Sequence, residues 1–363
     1  MKSSVGEAIK LSVFGESHGE AIGAVLEGLP AGKKIDFDFI LSQMARRAPG
    51  RDNTTTNRKE EDMPEIISGV LNGVTTGAPL TLIIKNKDKI SKNYDNLKNM
   101  PRPSHSDYAA YIKYNGFNDV RGGGHFSGRL TAPIVAAGSI CRSILKEYGV
   151  TVGGHIFNIG SATDSLFDPV KVTAKELDSL SSRYFSVINS TVEEKMREEI
   201  ENARKSLDSI GGSVELAAVG LPAGVGNPMF RGVENILSNI LYGVPAVKGI
   251  SFGEGFGYSV LKGSQANDNM CYDEKGNVVC KTNNCGGITG GITNGMPLTI
   301  KVALKPTPSI SMPQNTVNLK TKTNETLVIE GRHDPCIVPR ALPALEAALA
   351  IGLLDLMAEG GKL

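Results

Sequence analysis

One large domain of mixed strands and helices, α/β or α+β, is what this sequence predicts, and three observations predict it. Short apolar strand-like runs alternate with capped helical patterns from the first residues to the last. No shift in composition marks a boundary within the 363 residues, a length sufficient for one big core. The 42 glycines, about 12% of the chain against about 7% in average proteins, fall in turns rather than in a repeat, which suits backbone that approaches a ligand closely.

Taken in order, residues 9–14 and 21–29 read as strands joined by Gly15-Glu16-Ser17-His18-Gly19. That joint fits G-x-S-x-G, but the 14 residues before it cannot supply the sheet a nucleophile elbow needs. Gly28 to Lys34 misses the P-loop by one residue and lacks the following Ser/Thr. Residues 36–47 form a helix capped by Asp36 and ending in Arg46-Arg47, and 48–62, with Arg51, Arg58 and Lys59 and no apolar period, is expected to be a mobile basic binding loop. Strands follow at 65–71 and 80–84, then a buried helix at 131–148 carrying Cys141 as a core residue. A β-like run at 150–159 gives His155 a structural place. Residues 191–209 form a helix with a Thr191/Glu194 capping box, the stripe Val192, Met196, Ile200, Ala203 and Leu207, and a stop at Gly211. Strands at 213–220, 245–252 and 298–304 come next, with a tight turn at 253–257. The helix at 341–357, apolar nearly all round, belongs in a core or against another subunit.

Net charge of +1 disfavours a general nucleic-acid or membrane-surface binder, so any cationic site is local. No secretory leader opens the chain and no run of about 18 apolar residues is evident, so a cytoplasmic protein free of membrane is expected. The five cysteines lack the paired spacing of zinc sites and read as reduced thiols.

The chemistry concentrates where glycine, arginine and histidine recur together. Arg121-Gly122-Gly123-Gly124-His125-Phe126-Ser127-Gly128-Arg129 combines backbone that can turn anywhere with guanidinium forks suited to phosphate or carboxylate. The helix after it points its positive end the same way. Arg102-Pro103-Ser104-His105-Ser106-Asp107 sets a titratable imidazole beside a cation. Gly286-Gly287-Ile288-Thr289-Gly290-Gly291, Lys305-Pro306-Thr307-Pro308-Ser309 and Gly331-Arg332-His333-Asp334-Pro335-Cys336 add further anion-binding and proton-transfer groups.

In their order and spacing these motifs, GESHG, RPSHSD, RGGGHFSGR, GGITGG with KPTPS, and GRHDPC, closely resemble those of the chorismate synthase family over essentially the whole chain. The resemblance implies an α+β fold, a β-α-β sandwich in one domain, and usually a homotetramer. It implies conversion of 5-enolpyruvylshikimate 3-phosphate to chorismate and phosphate with reduced FMN and no net redox change, with NADPH as a candidate external reductant. By motif, His18 resembles the acid that assists phosphate departure and His105 the group that protonates reduced flavin. Asp334, with Ser17 and Ser127 as relay hydroxyls, resembles the group that moves the ring proton. The flavin contacts implied are His125, Phe126, Ser127, Pro245, Ala246, Gly290, Lys305, Pro306, Thr307, Pro308, Ser309 and Arg332. Arg47 and Arg51 fall where the family's basic loop meets phosphate or a nicotinamide phosphate, and Arg102, Arg129 and Arg332 resemble substrate-anion contacts. Many family members have Arg-Ser-Ser-Ala-Arg where this chain has His125 to Arg129.

Overall fold

Alternation of apolar residues builds the first sheet. Ile22, Ala24 and Leu26 of the strand Ala21–Glu27 pair with Ile84, Leu82 and Leu80 of Leu80–Lys85. All six are buried, so every second residue enters the core while its neighbours face away. The computed structural model describes residues 3–50, 62–86, 97–329 and 333–363. This sheet runs Ser4–Val5, Lys10–Gly15, Ala21–Glu27, Leu80–Lys85, Glu65–Ser68. A second antiparallel sheet runs Val247–Phe252, Leu298–Leu304, Gly212–Val219, Thr151–Ile159, Ala162–Thr163. Thr151–Ile159 is buried along most of its length because a helix, Ala174–Leu180, covers its outer face. Phe167, Leu177 and Leu180 form a small apolar cluster there with Ala217.

The helix Thr131–Glu147 packs on the first sheet, Val338–Glu359 packs on the second, and the two helices pack on each other. The layers are therefore sheet, helices, sheet: a β-α-β sandwich. At the helix contact a Cβ on Gly138 would lie 2.4 Å from that of Ala347, so only glycine permits this approach. Each large side chain buried here contributes about 1.5–3 kcal/mol. Polar groups among them are satisfied in networks. Glu346, fully buried, accepts from Arg46 (2.5 Å) and Arg142 (3.0 Å), tying three helices together. Asp355 accepts the backbone N–H groups of Glu7 (3.1 Å), Ala8 (2.8 Å) and Ile9 (2.8 Å), fixing the chain just before the first long strand.

Several expected elements are confirmed and several change. Asp36 caps Phe37–Arg47 by accepting from the Phe39 N–H at 2.9 Å. The helix expected at 191–209 is Ser190–Lys205. Its cap is Asn189, which accepts from both the N–H and the hydroxyl of Thr191, so the Thr191/Glu194 box does not form. The helix stops well before Gly211: Leu207 takes φ 59 and is exposed, while the Ser206 hydroxyl donates back to the Asn202 and Ala203 carbonyls. Residues 65–71 break into Glu65–Ser68 and Val70–Leu71 at Gly69, whose φ is +81. The strand expected from 245 begins at Val247, after Ala246 with φ 74. Residues 255–260 continue as a 3₁₀ helix. The last helix is longer than expected, Val338–Glu359, and is the one helix among the described residues long and apolar enough to cross a membrane. Its burial between the sheets accounts for that composition. Cys141 is fully buried, which pushes its thiol up to about 12.

Candidate active site

One cavity of about 900 Å³ opens beside the glycine loop, near the upper end of the range for small-molecule sites. The loop explains its own composition. Gly122 has φ 59 and its missing Cβ would lie 2.2 Å from Cε1 and Nδ1 of His18, so any side chain would displace the imidazole. The next residue, Gly123, faces the other histidine: a Cβ there would be 3.4 Å from His105 Nε2. Two histidines 87 positions apart thus back onto successive glycines. The Ser17 N–H donates to the Gly124 carbonyl at 3.1 Å, locking the His18 turn to the loop.

His125 holds the loop from the other side. Its Nδ1–H donates to the Gly15 carbonyl (2.8 Å) and its Nε2 meets the Ser3 hydroxyl (2.8 Å). The ring lines the cavity but both nitrogens are engaged in the fold. Phe126 and Ser127 also line it, and the Ser127 hydroxyl accepts from the Arg129 N–H at 3.3 Å. Arg121, expected beside the anion, is half-exposed and paired with Asp119 at 2.7 Å.

Arg47 and Arg129 converge from different elements on Asp62, at 2.9 and 2.5 Å. Arg47 also donates to the Thr131 hydroxyl (3.2 Å) and the Gly128 carbonyl (3.2 Å), and Arg129 to Asn86 (3.1 Å). Asn86 in turn donates to the carbonyls of Glu16 and Gly19 around His18. The helix Thr131–Glu147 starts at this point, so its positive end adds to the field.

The Arg102 guanidinium grips Asp107 with two donors, at 2.7 and 2.9 Å, and reaches Ser309 at 3.1 Å. Burial acts to raise the Asp107 carboxyl, but hydrogen bonds from Arg102 and His105 outweigh it and hold it well below the usual carboxylate range. His105 is held below the ordinary imidazole value, by burial first, against the pull of Asp107 and with Arg102 and Lys305 adding repulsion. Lys305 donates to the Ser104 carbonyl at 2.8 Å; burial and nearby Lys248 hold it below the ordinary lysine value.

Asp334 is paired with Arg340, whose Nε donates to the Arg47 carbonyl at 2.9 Å. Pro245, Ala246, Thr307, Pro308 and Ser309 line the cavity. Pro306, in the same segment, does not line it, and Gly290 is exposed in a hairpin turn away from it. Arg51 and Arg332 lie outside the described residues. Among the described lining residues the cations Arg47, Lys85, Arg102, Arg129, Lys305 and Arg340 face only two carboxylates, Asp62 and Asp334, in a chain whose net charge is +1. Such a site takes an anion.

The sequence model of the chorismate synthase family matches residues 9–358. The chain belongs to the chorismate synthase family. The chorismate synthase of Thermococcus gammatolerans is 44% identical over 350 residues, covering 96% of each chain. That of Dehalococcoides mccartyi is 44% identical over 99% of this chain and 98% of its own. A crystal structure of chorismate synthase aligns with a TM-score of 0.78 at 28% identity, over 98% of this chain and 93% of the other. The α+β sandwich is therefore the fold of chorismate synthases.

Sequence reading passed over three side chains that line this chorismate synthase-type cavity, Asp62, Asn86 and Arg340, and one behind it, Asp107. Asp107 stood inside a quoted motif, and its position two residues after His105 was the available signal. Asp62, Asn86 and Arg340 carried no local pattern, because each acts on residues distant in sequence.

Proposed function

We propose that the protein eliminates phosphate and a proton from 5-enolpyruvylshikimate 3-phosphate to form chorismate, the last common step of the shikimate pathway, with reduced FMN and no net redox change. The observation that carries the reading is the meeting of His18, His105, Arg47, Arg129 and Asp334 around one cation-rich cavity. A substrate with two carboxylates and a phosphate fits six lining cations drawn from separate elements.

The residues present fit a flavin. Leu11, Val13, Ile134, Val244 and Pro245 offer an apolar wall for a flat ring. The Thr307 hydroxyl is buried at the cavity with no hydrogen-bond partner among the described residues, and Lys305 offers charge for a phosphate. Pro245, Ala246 and the Lys305 to Ser309 segment would hold the cofactor, with His125 and Phe126 at its edge. Reduced flavin, when bound, supplies electron density that helps the allylic C–O bond break.

The chain's own residues do the rest. Arg47 and Arg129 orient the anionic groups, and a shared carboxylate, Asp62, keeps their forks spaced. His18, buried against Gly122, hands a proton to the departing phosphate. Asp334, held by Arg340, receives the ring proton, with Ser17 and Ser127 as relay hydroxyls. His105, with Nε2 beside Gly123 at the cavity, would hold or release a proton toward a bound flavin. Assembly as a cytoplasmic homotetramer belongs to the same reading; the exposed Phe230 and Phe256 are the kind of apolar surface an assembly covers. The chain is read as monofunctional, supplied with flavin reduced elsewhere.

Anaerobic assay with dithionite-reduced FMN tests the proposal. Chorismate and phosphate should appear in equal amounts with the flavin recovered reduced, and NADPH with oxidised FMN should not substitute. Stoichiometric flavin oxidation, or turnover without flavin, would overturn it.

A further inference from the structure

Asp107 is not among the residues lining the cavity, yet it lies directly against His105, which is. Its Oδ1 lies 2.5 Å from His105 Nδ1, and Arg102 holds the same carboxylate by two guanidinium contacts and its own backbone N–H at 3.1 Å. A carboxylate at that distance requires a proton on Nδ1, since two lone pairs would repel. Arg102 Nη2 (3.1 Å) and the Ser106 hydroxyl (3.4 Å) also approach Nδ1 but lie farther off than the carboxylate; Nη2 donates to Asp107 at 2.9 Å, and the hydroxyl can accept from a protonated Nδ1. Nε2, beside Gly123, is then left bare. Arg102 is buried and engaged with Asp107 and Ser309, so it supports His105 as well as lining the cavity.

We propose that Asp107 is a positioning residue that fixes His105 as the Nδ1–H tautomer, so that Nε2 presents a lone pair to the cavity and can only accept a proton before it returns one. The inference rests on the proposed role of His105. A proton taken at Nε2 gives an imidazolium whose charge Asp107 faces directly, and its return restores the neutral ring, so the cycle balances. Replacing Asp107 by Asn reverses the arrangement. The amide oxygen turns to the Arg102 donors, the amide N–H turns to Nδ1, and the proton is forced onto Nε2.

The test is nitrogen NMR of the full-length protein with ring-labelled histidine, the His105 signals being those lost in His105→Gln. Wild type should show a protonated Nδ1 and a bare Nε2, a measurement that does not depend on how Asp107→Asn folds. Asp107→Asn should invert that pattern and lower kcat by on the order of 10²–10⁴ with KM changed by less than about threefold. Asp107→Glu should recover the wild-type tautomer and part of the rate. A protonated Nε2 in the wild type, or an unchanged tautomer in Asp107→Asn, would overturn the inference. Absence of chorismate with wild type would sink the proposed function instead, and the tautomer readout would still decide the role of Asp107.

Discussion

Two histidines in this protein lean on carboxylates, and their surroundings push them in opposite directions. His105 borders the cavity, and its carboxylate, Asp107, is already claimed by Arg102. His155 is fully buried in the second sheet, where Nε2 lies 2.9 Å from Glu215 and Nδ1 lies near the Ile156 carbonyl (3.1 Å) and Asp164 (3.6 Å). Both of its nitrogens face acceptors, so both carry protons. Burial pulls His155 down, but Asp164 and Glu215 outweigh it and raise it above the ordinary imidazole value, whereas His105 is lowered. Against burial His155 has two carboxylates, whereas His105 has one, with Arg102 and Lys305 repelling its charge. Where a single carboxylate is shared with a guanidinium, the buried imidazole stays neutral and free to exchange a proton; where two carboxylates, otherwise held by backbone N–H groups, face it, it becomes a fixed cation of the core.

The contrast breaks first on chemistry. His105→Ala, like His18→Ala, should lower chorismate turnover by on the order of 10²–10⁴ with the melting temperature unchanged, while His155→Ala should leave kcat per folded molecule at the wild-type value. Stability reverses the order. His155→Ala removes the buried cation facing Asp164 and Glu215 and should cost about 3–5 kcal/mol in urea unfolding, and a loss below about 1 kcal/mol, no more than an ordinary hydrogen bond, would show that the cluster is not ionic. Arg47→Ala stands between these cases, because its guanidinium serves the cavity and Asp62 together. Anion affinity should fall by about 1.5–3 kcal/mol at low ionic strength, and titration with inorganic phosphate would expose unchanged binding.

The smallest effect is pH dependence. Because the folded pKa of His155 is raised, its stabilising contribution is fully present below about pH 6.5 and is lost as pH rises through the folded pKa. Unfolding free energy should therefore decline with rising pH more in wild type than in His155→Gln. Parallel curves for the two proteins would assign the raised pKa to another group.

Legibility followed the range of the interactions. The strand Leu298–Leu304 was readable to the residue because its alternation is its cause, and it is flanked on both sides in the sheet. The Asp36 cap was readable because it acts three residues away. The Asn189 cap was equally local, but Thr191 offered a competing signature and the stronger acceptor prevailed. In the site, the glycine loop and His18 were visible as motifs, yet the reason for the glycines appears only when the imidazoles are seen against them. His125 was read as a ligand contact because it stood in a ligand motif; its partners, Ser3 and Gly15, lie more than 100 residues away. Asp62 and Arg340 are legible only in three dimensions.

The carboxylate of Asp355 gathers the N–H groups of residues 7–9, and Glu346 receives Arg46. Both contacts join the earliest part of the chain to nearly the latest, 346 and 300 positions apart. During synthesis the segment entering the first sheet therefore waits, with these groups turned to water, until the final helix has left the ribosome. A chain truncated before the final helix carries the glycine loop, His18 and His105 but lacks the groups that hold residues 7–9 and Arg46, so it should be inactive and open to proteases.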